Sequence, residues 1–339
     1  MSRLSVVIPV YNSSQYLDRC IISIIQQSYS DFEAIFVDDC STDSSAAIVR
    51  QFARNDSRIA LSVREKNGGP GAARNTGIAQ AKGEYVTFVD SDDFIMPNLF
   101  EVLKQATKGG EFDIVETGCQ ALDQQDNVLW DYAPSPMVVD DLAKDPENIF
   151  LIREWGVTQK LWRRSLFQDD TIFPEKVYWE DIAVVPSLIV NATTLVRVEF
   201  IGYNYLQRAT SITNTRSVKH VLDLFKAFDY FISHLKRRNL LERYREAVVQ
   251  LIESRVEYFL KNTGSQQLSG PPRMAGLTRL CELLAIQYLD GKQIAQYLRA
   301  AQFEAILRKS SIDAKSYIDG VENAFNLLIV QALDKRHVA

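Results

Sequence analysis

Apolar and polar positions form short alternating blocks over the first hundred residues, and each block reads as one structural element. Leu4-Ser5-Val6-Val7-Ile8-Pro9-Val10 is an almost unbroken β-branched run, the pattern of a strand covered on both faces. Asn12 and Ser13 follow as candidate N-caps, and Leu17, Cys20, Ile21, Ile24 and Ile25 then recur at the spacing of one helical face. Phe32 to Val37 predicts a second buried strand that runs into Asp38 and Asp39. Residues 41–55 predict a helix capped by Ser41 or Asp43, with Ile48 and Phe52 turned inward, and Ile59 to Val63 predicts a third strand. Asn67-Gly68-Gly69-Pro70-Gly71 is a turn and Ala72 to Ala81 a small-residue helix. Tyr85 to Val89 is a fourth strand, ending directly in Asp90-Ser91-Asp92-Asp93.

Strands alternating with helices through short connections imply parallel βαβ units with right-handed crossovers. The expected fold class is α/β: a Rossmann-like, mostly parallel sheet flanked by helices. Ligands of such sheets bind beyond the carboxyl ends of the strands. Asn12, Asp38/Asp39 and Asp90/Asp92 each follow a strand directly, so these groups are expected to converge on one crevice. From Phe112 to Arg208 the pattern is mixed, with strands near Ile114–Thr117 and Thr194–Val198 and helices near Val157–Phe167 and Asp181–Val190. After Ser217 it becomes helical. Val218, Val221, Leu222, Phe225, Phe228, Ile232 and Leu235 mark one amphipathic face, and Val248, Ile252, Val256 and Phe259 another. Asn262 to Pro272 reads as a loop, with more helix beyond it. The chain therefore divides into residues 1–215, an α/β domain, and residues 216–339, a C-terminal helical region.

A length of 339 residues suits this arrangement, and a net charge of −5 argues against a nucleic-acid partner. Cys20, Cys40, Cys119 and Cys281 lie far apart with no Cys-x-x-Cys or Cys/His spacing, so they read as buried thiols of a reducing compartment. No apolar run reaches the length of a bilayer, which points to the cytoplasm and leaves peripheral attachment at the inner face of the cell membrane open. The basic stretch Lys236-Arg237-Arg238, with Arg243 and Arg245, could meet anionic lipid. Glu242 and Glu246 interleave its charges, however, and favour a solvated helix face.

Asp90-Ser91-Asp92 sets two carboxylates at alternate positions where a buried strand ends. Desolvated like charges call for a cation, and an all-oxygen donor set suits Mg²⁺ or Mn²⁺ held jointly with phosphates. A solvated strand end with an aspartate capping the next helix is the plainer alternative; alignment with Asp38/Asp39 favours the metal.

Four segments together resemble the family 2 glycosyltransferases. They are Val6-Val7-Ile8-Pro9-Val10-Tyr11-Asn12, Val37-Asp38-Asp39-Cys40-Ser41-Thr42-Asp43, Gly69-Pro70-Gly71-Ala72-Ala73-Arg74-Asn75-Thr76-Gly77 and Asp90-Ser91-Asp92-Asp93, and they stand in that family's order and spacing. The resemblance is clear over residues 4–95, continues in weaker landmarks to about 213, and implies a GT-A fold. It also implies roles. Pro9, Tyr11 and Asn12 would line the base and ribose pocket, and Asp39 would accept from a uracil imide. Arg74 would sit beside the nucleotide and Asp90 near the ribose, with Asp92 binding the metal at the diphosphate. Trp179-Glu180-Asp181, leading into Ile182-Ala183-Val184-Val185, is similar to the family's acid pair before an acceptor-site helix. Asp181 would then be the catalytic base, with Trp179 and Glu180 on the acceptor side; capping of the helix is the alternative role for this pair.

Gln159-Lys160-Leu161-Trp162-Arg163-Arg164 is similar to a family segment that usually begins with Asn. Tyr203-Asn204-Tyr205, Arg208 and Ser211-Ile212-Thr213 resemble the segment near the active-site lid, from which Arg208 and Ser211 would reach the diphosphate. The activity implied is inverting transfer from a UDP-sugar to a hydroxyl of a glycan or lipid-linked saccharide, in bacterial surface polysaccharide synthesis. A catalytically inactive relative that binds glycans or nucleotide sugars is the main alternative, opposed by the intact Asp92 and Asp181. A nicotinamide-dependent dehydrogenase is a third. Gly69-x-Gly71-x-x-Arg74 lacks its third glycine, and no Gly-Lys-Ser/Thr phosphate loop occurs.

Overall fold

The computed structural model describes residues 4–152, 155–168, 171–208 and 218–262. The chain divides into two compact units, Met1–Asn214 with Lys226–Leu240, and Thr215–Phe225 with Leu241–Ala339. In the first unit, β1 (Leu4–Val10), β2 (Phe32–Asp38), β3 (Ile59–Val63) and β4 (Tyr85–Phe88) lie parallel in the order β3-β2-β1-β4. One face of β1 (Leu4, Val6, Ile8, Val10) packs against Leu17, Cys20, Ile21 and Ile24 of α1 (Ser14–Ile25), all fully or almost fully buried. The other face carries α3 (Gly69–Gln80), where Gly77 sits so close to Val7 that a Cβ would overlap its methyl groups. Apolar cover on both faces is why these strands read as unbroken runs rather than alternating ones.

The helix starts differ from expectation. Neither Asn12 nor Ser13 caps α1 through its side chain. The Asn12 amide oxygen accepts from the Thr42 N–H at 2.8 Å instead, stitching the loop after β1 to the loop after β2. Helix α2 (Ser45–Ala53) starts four residues later than the 41–55 pattern implies. Asp43 accepts from Ser45 N–H at 2.9 Å and from Ser14 N–H at 3.0 Å, so one carboxylate serves the starts of two helices. Burial acts to raise its pKa, but the hydrogen bonds from Ser45 and Ser14 prevail and bring it down to about 2. Helix α3 takes in part of the expected glycine turn, with Pro70 in its first turn, where a missing N–H does no harm.

Beyond β4 come β5 (Phe94–Ile95), α4 (Leu99–Ala106), β6 (Ile114–Leu122), β7 (Val128–Tyr132), β8 (Met137–Val139), β9 (Lys160–Arg163), α5 (Glu180–Asn191) and β10 (Leu195–Leu206). The sheet continues β4-β9-β6-β10-β5, with β7 on β6 and β8 on β10. It is parallel from β3 to β4 and mixed thereafter: β9 runs antiparallel to both neighbours, while β6 and β10 are parallel to each other. The helix expected at Val157–Phe167 does not form. Its apolar residues instead fill β9 and a 3₁₀ turn, Arg164–Leu166, because β9 is wedged between β4 and β6 and buries Leu161 and Trp162 together. A short apolar run covered on all sides leaves no period to distinguish strand from helix.

Helix α6 (Val218–Arg237) buries Phe228, Ile232 and Leu235 as its pattern implies, and a ring nitrogen of His234 bonds Asn191 Oδ1 at 3.1 Å. Helix α7 (Arg245–Asn262) buries Val248 and Ile252. In the basic stretch, Lys236, Arg237 and Arg243 are exposed, and Arg238 donates to Gln168. The loop and helices expected beyond Asn262, and Cys281 with them, lie outside the described residues. Among the described residues no helix is long and apolar enough to cross a membrane.

Candidate active site

The carboxyl ends of β1, β2 and β4 stand side by side, which brings together the residues that follow them. Pro9 lies half-buried near the end of β1, and Tyr11 just beyond it is 52% exposed, a ring open to solvent at the rim. Asn12 takes a left-handed backbone (φ 48°), and its N–H donates to Ser41 Oγ at 3.0 Å. Asp39 is buried after β2, where its carboxylate accepts from Gly68 N–H at 3.0 Å and Gly69 N–H at 2.7 Å, with Arg64 Nε 3.5 Å away. This acid therefore orders the start of α3, where the helix dipole favours a negative charge. Any contact to a nucleobase must use the lone pairs these bonds leave.

The Asp90–Asp93 segment sorts into three environments. Asp93 is fully enclosed, accepting from Tyr203 Oη at 2.6 Å and Leu206 N–H at 2.8 Å. Burial pushes the pKa values of both Asp93 and Tyr203 well up. Asp90 keeps a third of its side chain open and accepts from Arg74 Nη2 at 2.9 Å. Asp92 is paired with Arg208, which leaves the end of β10 and lays its guanidinium over the Tyr16 ring, 4.8 Å from the centroid. Burial first, then Asp90, raises the pKa of Asp92, while Arg208 opposes them. Ser211 lies outside the described residues.

These residues can be tested against a divalent ion. Asp92 is a desolvated oxygen donor beside a second acid, the kind of group that seeks a cation, and here Arg208 supplies the positive charge. Among the described residues no group of three or more His, Cys, Asp or Glu side chains is placed so that it could hold a metal ion by itself. The site therefore fits an ion whose shell is completed by ligand oxygens such as a diphosphate's, and it does not fit one caged by protein alone.

Arg74 binds the opposite wall together. Projecting from α3 and 4% exposed, it donates to Asp90, to Glu180 Oε1 at 2.6 Å and to Asp181 Oδ1 at 3.4 Å. Glu180 and Asp181 open α5, directly after Trp179, whose left-handed backbone (φ 65°) is rare for a bulky residue. Asp181 keeps 27% of its side chain open. Packing around the rest of it, followed by the opposed charges of Arg74 (lowering) and of Glu180 and Asp90 (raising), takes its pKa to about 7. A carboxyl that loses its proton near neutrality and can still be approached has the chemistry of a general base.

Several contributors were not singled out from sequence. Asn75 exchanges two hydrogen bonds with the Phe173 backbone, at 2.8 and 2.9 Å, and so ties the segment before α5 to α3. Lys160, fully buried on β9, donates to Gly156 O at 2.9 Å and lies 3.8 Å from the buried Glu116. Both residues stand inside motifs whose pattern is visible, but a pattern does not name partners about 100 or 44 positions away. Gln159 has φ 48°, a conformation asparagine adopts more readily, which gives a reason why the resembling segments usually carry Asn there.

A parallel half-sheet with acids at its strand ends and the acid pair Glu180 and Asp181 opposite them suits a sugar-transferring α/β enzyme of the GT-A fold. Residues 5–154, somewhat under half of the chain, match the profile of Glycosyl transferase family 2, and the chain is a glycosyltransferase. It is 29% identical over 267 residues to the glycosyltransferase GlyG of Streptococcus pneumoniae, covering 72% of this chain and 88% of GlyG. It is 33% identical over 172 residues to the uncharacterized glycosyltransferase EpsJ of Bacillus subtilis, a match that spans about half of each (49% and 49%). In fold it is similar to Staphylococcus aureus TarS residues 1–349 in complex with UDP-GlcNAc. There the TM-score is 0.74 at 21% identity, over 96% of this chain and 90% of that one.

Proposed function

We propose that the chain moves a sugar from a UDP-sugar to a hydroxyl of a glycan or lipid-linked saccharide, with inversion, in the building of a bacterial surface polysaccharide. The observation that carries this reading is the reach of Arg74 from Asp90, at the donor-side strand end, to Glu180 and Asp181 on α5. A single displacement needs its base beside the carbon that loses the diphosphate, and this span joins those two places. The UDP-GlcNAc complex of TarS, of like fold, supports a UDP-sugar as the donor class.

In this proposal Pro9, Tyr11, Asn12 and Asp39 line the nucleoside, and Asp90 faces the ribose. Asp181 takes the proton of the acceptor hydroxyl. The freed oxygen bonds to the anomeric carbon while the bond from that carbon to the diphosphate oxygen breaks, releasing UDP. Arg208 and Ser211 hold the diphosphate, and Trp179 and Glu180 shape the acceptor side. Asp92 would hold a Mg²⁺ or Mn²⁺, which when bound neutralises charge on the departing diphosphate. Catalysis belongs to residues 1–215, with residues 216–339 as a helical addition.

Calorimetric titration with UDP tests the metal part of this reading. Mn²⁺ should tighten UDP binding to the wild-type protein and have no such effect in Asp92→Ala. Equal UDP affinity with and without Mg²⁺ or Mn²⁺, together with full turnover by Asp92→Ala, would contradict it.

A further inference from the structure

The guanidinium of Arg74 is where the donor-side and acceptor-side acids meet. It is almost wholly enclosed, and its Nη atoms are directed at protein carboxylates: Nη2 at Asp90 (2.9 Å), and Nη1 at Glu180 (2.6 Å) and Asp181 (3.4 Å). From this geometry, and resting on the reading of Asp181 as the base, we propose that Arg74 is a positioning residue for that base. It fixes the direction of the Asp181 carboxylate and supplies the positive charge that faces it, and it does not serve as a nucleotide ligand.

The start of α3 is built for this task. Gly68 O accepts from Lys176 N–H at 2.7 Å, Asn75 holds the Phe173 backbone by two bonds, and Gly71 leaves room for the Pro174 carbonyl. Arg74 extends this row of ties to the acid pair itself. The segment it secures ends in Trp179, whose left-handed backbone persists only when its surroundings hold it.

Four charged groups face Asp181: Arg74 from α3, Glu180 from its own helix, Asp90 from the end of β4, and Lys160 from β9. Two acids and a dry setting favour the proton, while two cations oppose it. Arg74 is the cation in direct contact, so its loss leaves the acids dominant.

The test uses the full chain labelled with ¹³C at aspartate carboxyl carbons, with the Asp181 signal identified by its loss in Asp181→Asn. In Arg74→Gln the titration midpoint of that signal should move up by roughly one to three pH units. UDP affinity by calorimetry should stay within about threefold of wild type. An unmoved midpoint overturns the proposal, and so does a loss of UDP affinity of about tenfold or more.

Should Arg74→Gln fail to fold, Arg74→Lys carries the test. A point-charge ammonium cannot serve three carboxylates as a fork can. The midpoint should therefore rise by less and UDP binding persist; an unmoved midpoint or tenfold weaker UDP binding again overturns the role. Turnover by Asp181→Asn would remove the base reading yet leave the titration result standing, so the two failures are distinguishable.

Discussion

Asp181 feels opposing forces from its neighbours, and as the proposed base its protonation would set the pH at which the site works. Burial, then the contest between Arg74 on one side and Glu180 and Asp90 on the other, places its pKa near 7. A base acts when ionised, so kcat/KM should climb with pH through a midpoint near 7, measured by UDP release from the UDP-sugar donor; a flat profile between pH 5 and 8 would count against the assignment. The same displacement has a stability consequence. The folded state keeps this proton up to about 7, whereas an ordinary aspartate releases it near 3.8, so the linked stability is present below about pH 4 and is lost as pH rises towards 7. Denaturant unfolding at pH 4.5 and 7.5 checks the sign, and wild type should lose more across that window than Asp181→Asn.

At this scale the sequence was informative wherever a motif carried the chemistry. The three acids after β4, the acid pair opening α5 and Arg74 are all visible as residues. Their partners are not: the pairings of Asp93 with Tyr203 and Arg74 with Glu180 join positions more than 100 apart. Asp39 shows the limit from the other side, since its carboxylate is already engaged by the backbone of the glycine turn.

Among elements, the strands buried on both faces read most faithfully, because β-branched runs bounded by turn residues have few alternatives. Residues 157–167 misled, since an apolar patch lodged between two strands looks the same as one lodged under a helix. Strands β5, β7 and β8 gave little signal. Val128, Leu129, Trp130 and Val138 are exposed, so they show no alternation of buried and open positions. The glycine turn was legible in outline and becomes physical in detail at Gly71, where a Cβ would stand 2.5 Å from Pro174 O and 3.0 Å from Phe173 Cβ. Gly71→Ala should lower unfolding stability by about 1–3 kcal/mol in urea titration and displace the segment leading to Asp181, reducing turnover more than UDP affinity. Unchanged stability would show that the two backbones do not meet there as described.

For the whole molecule, the proposed mechanism gives separate tasks to two places: strand ends β1, β2 and β4 for the nucleotide, and the start of α5 for the acceptor. Ligand binding to the folded state should raise the unfolding temperature, by an amount worth about 2.7 kcal/mol at 100 times Kd, with UDP and Mn²⁺ together exceeding UDP alone. Additivity of the separate UDP and Mn²⁺ effects would show that the ion and the nucleotide do not share a site. In that mechanism Asp181 serves the chemistry and not donor binding. Turnover of the UDP-sugar donor and UDP affinity, measured together on Asp181→Asn, test this most directly. The account predicts a fall in turnover of roughly 10²- to 10⁴-fold with UDP affinity essentially that of the wild type; wild-type turnover in this variant would contradict it.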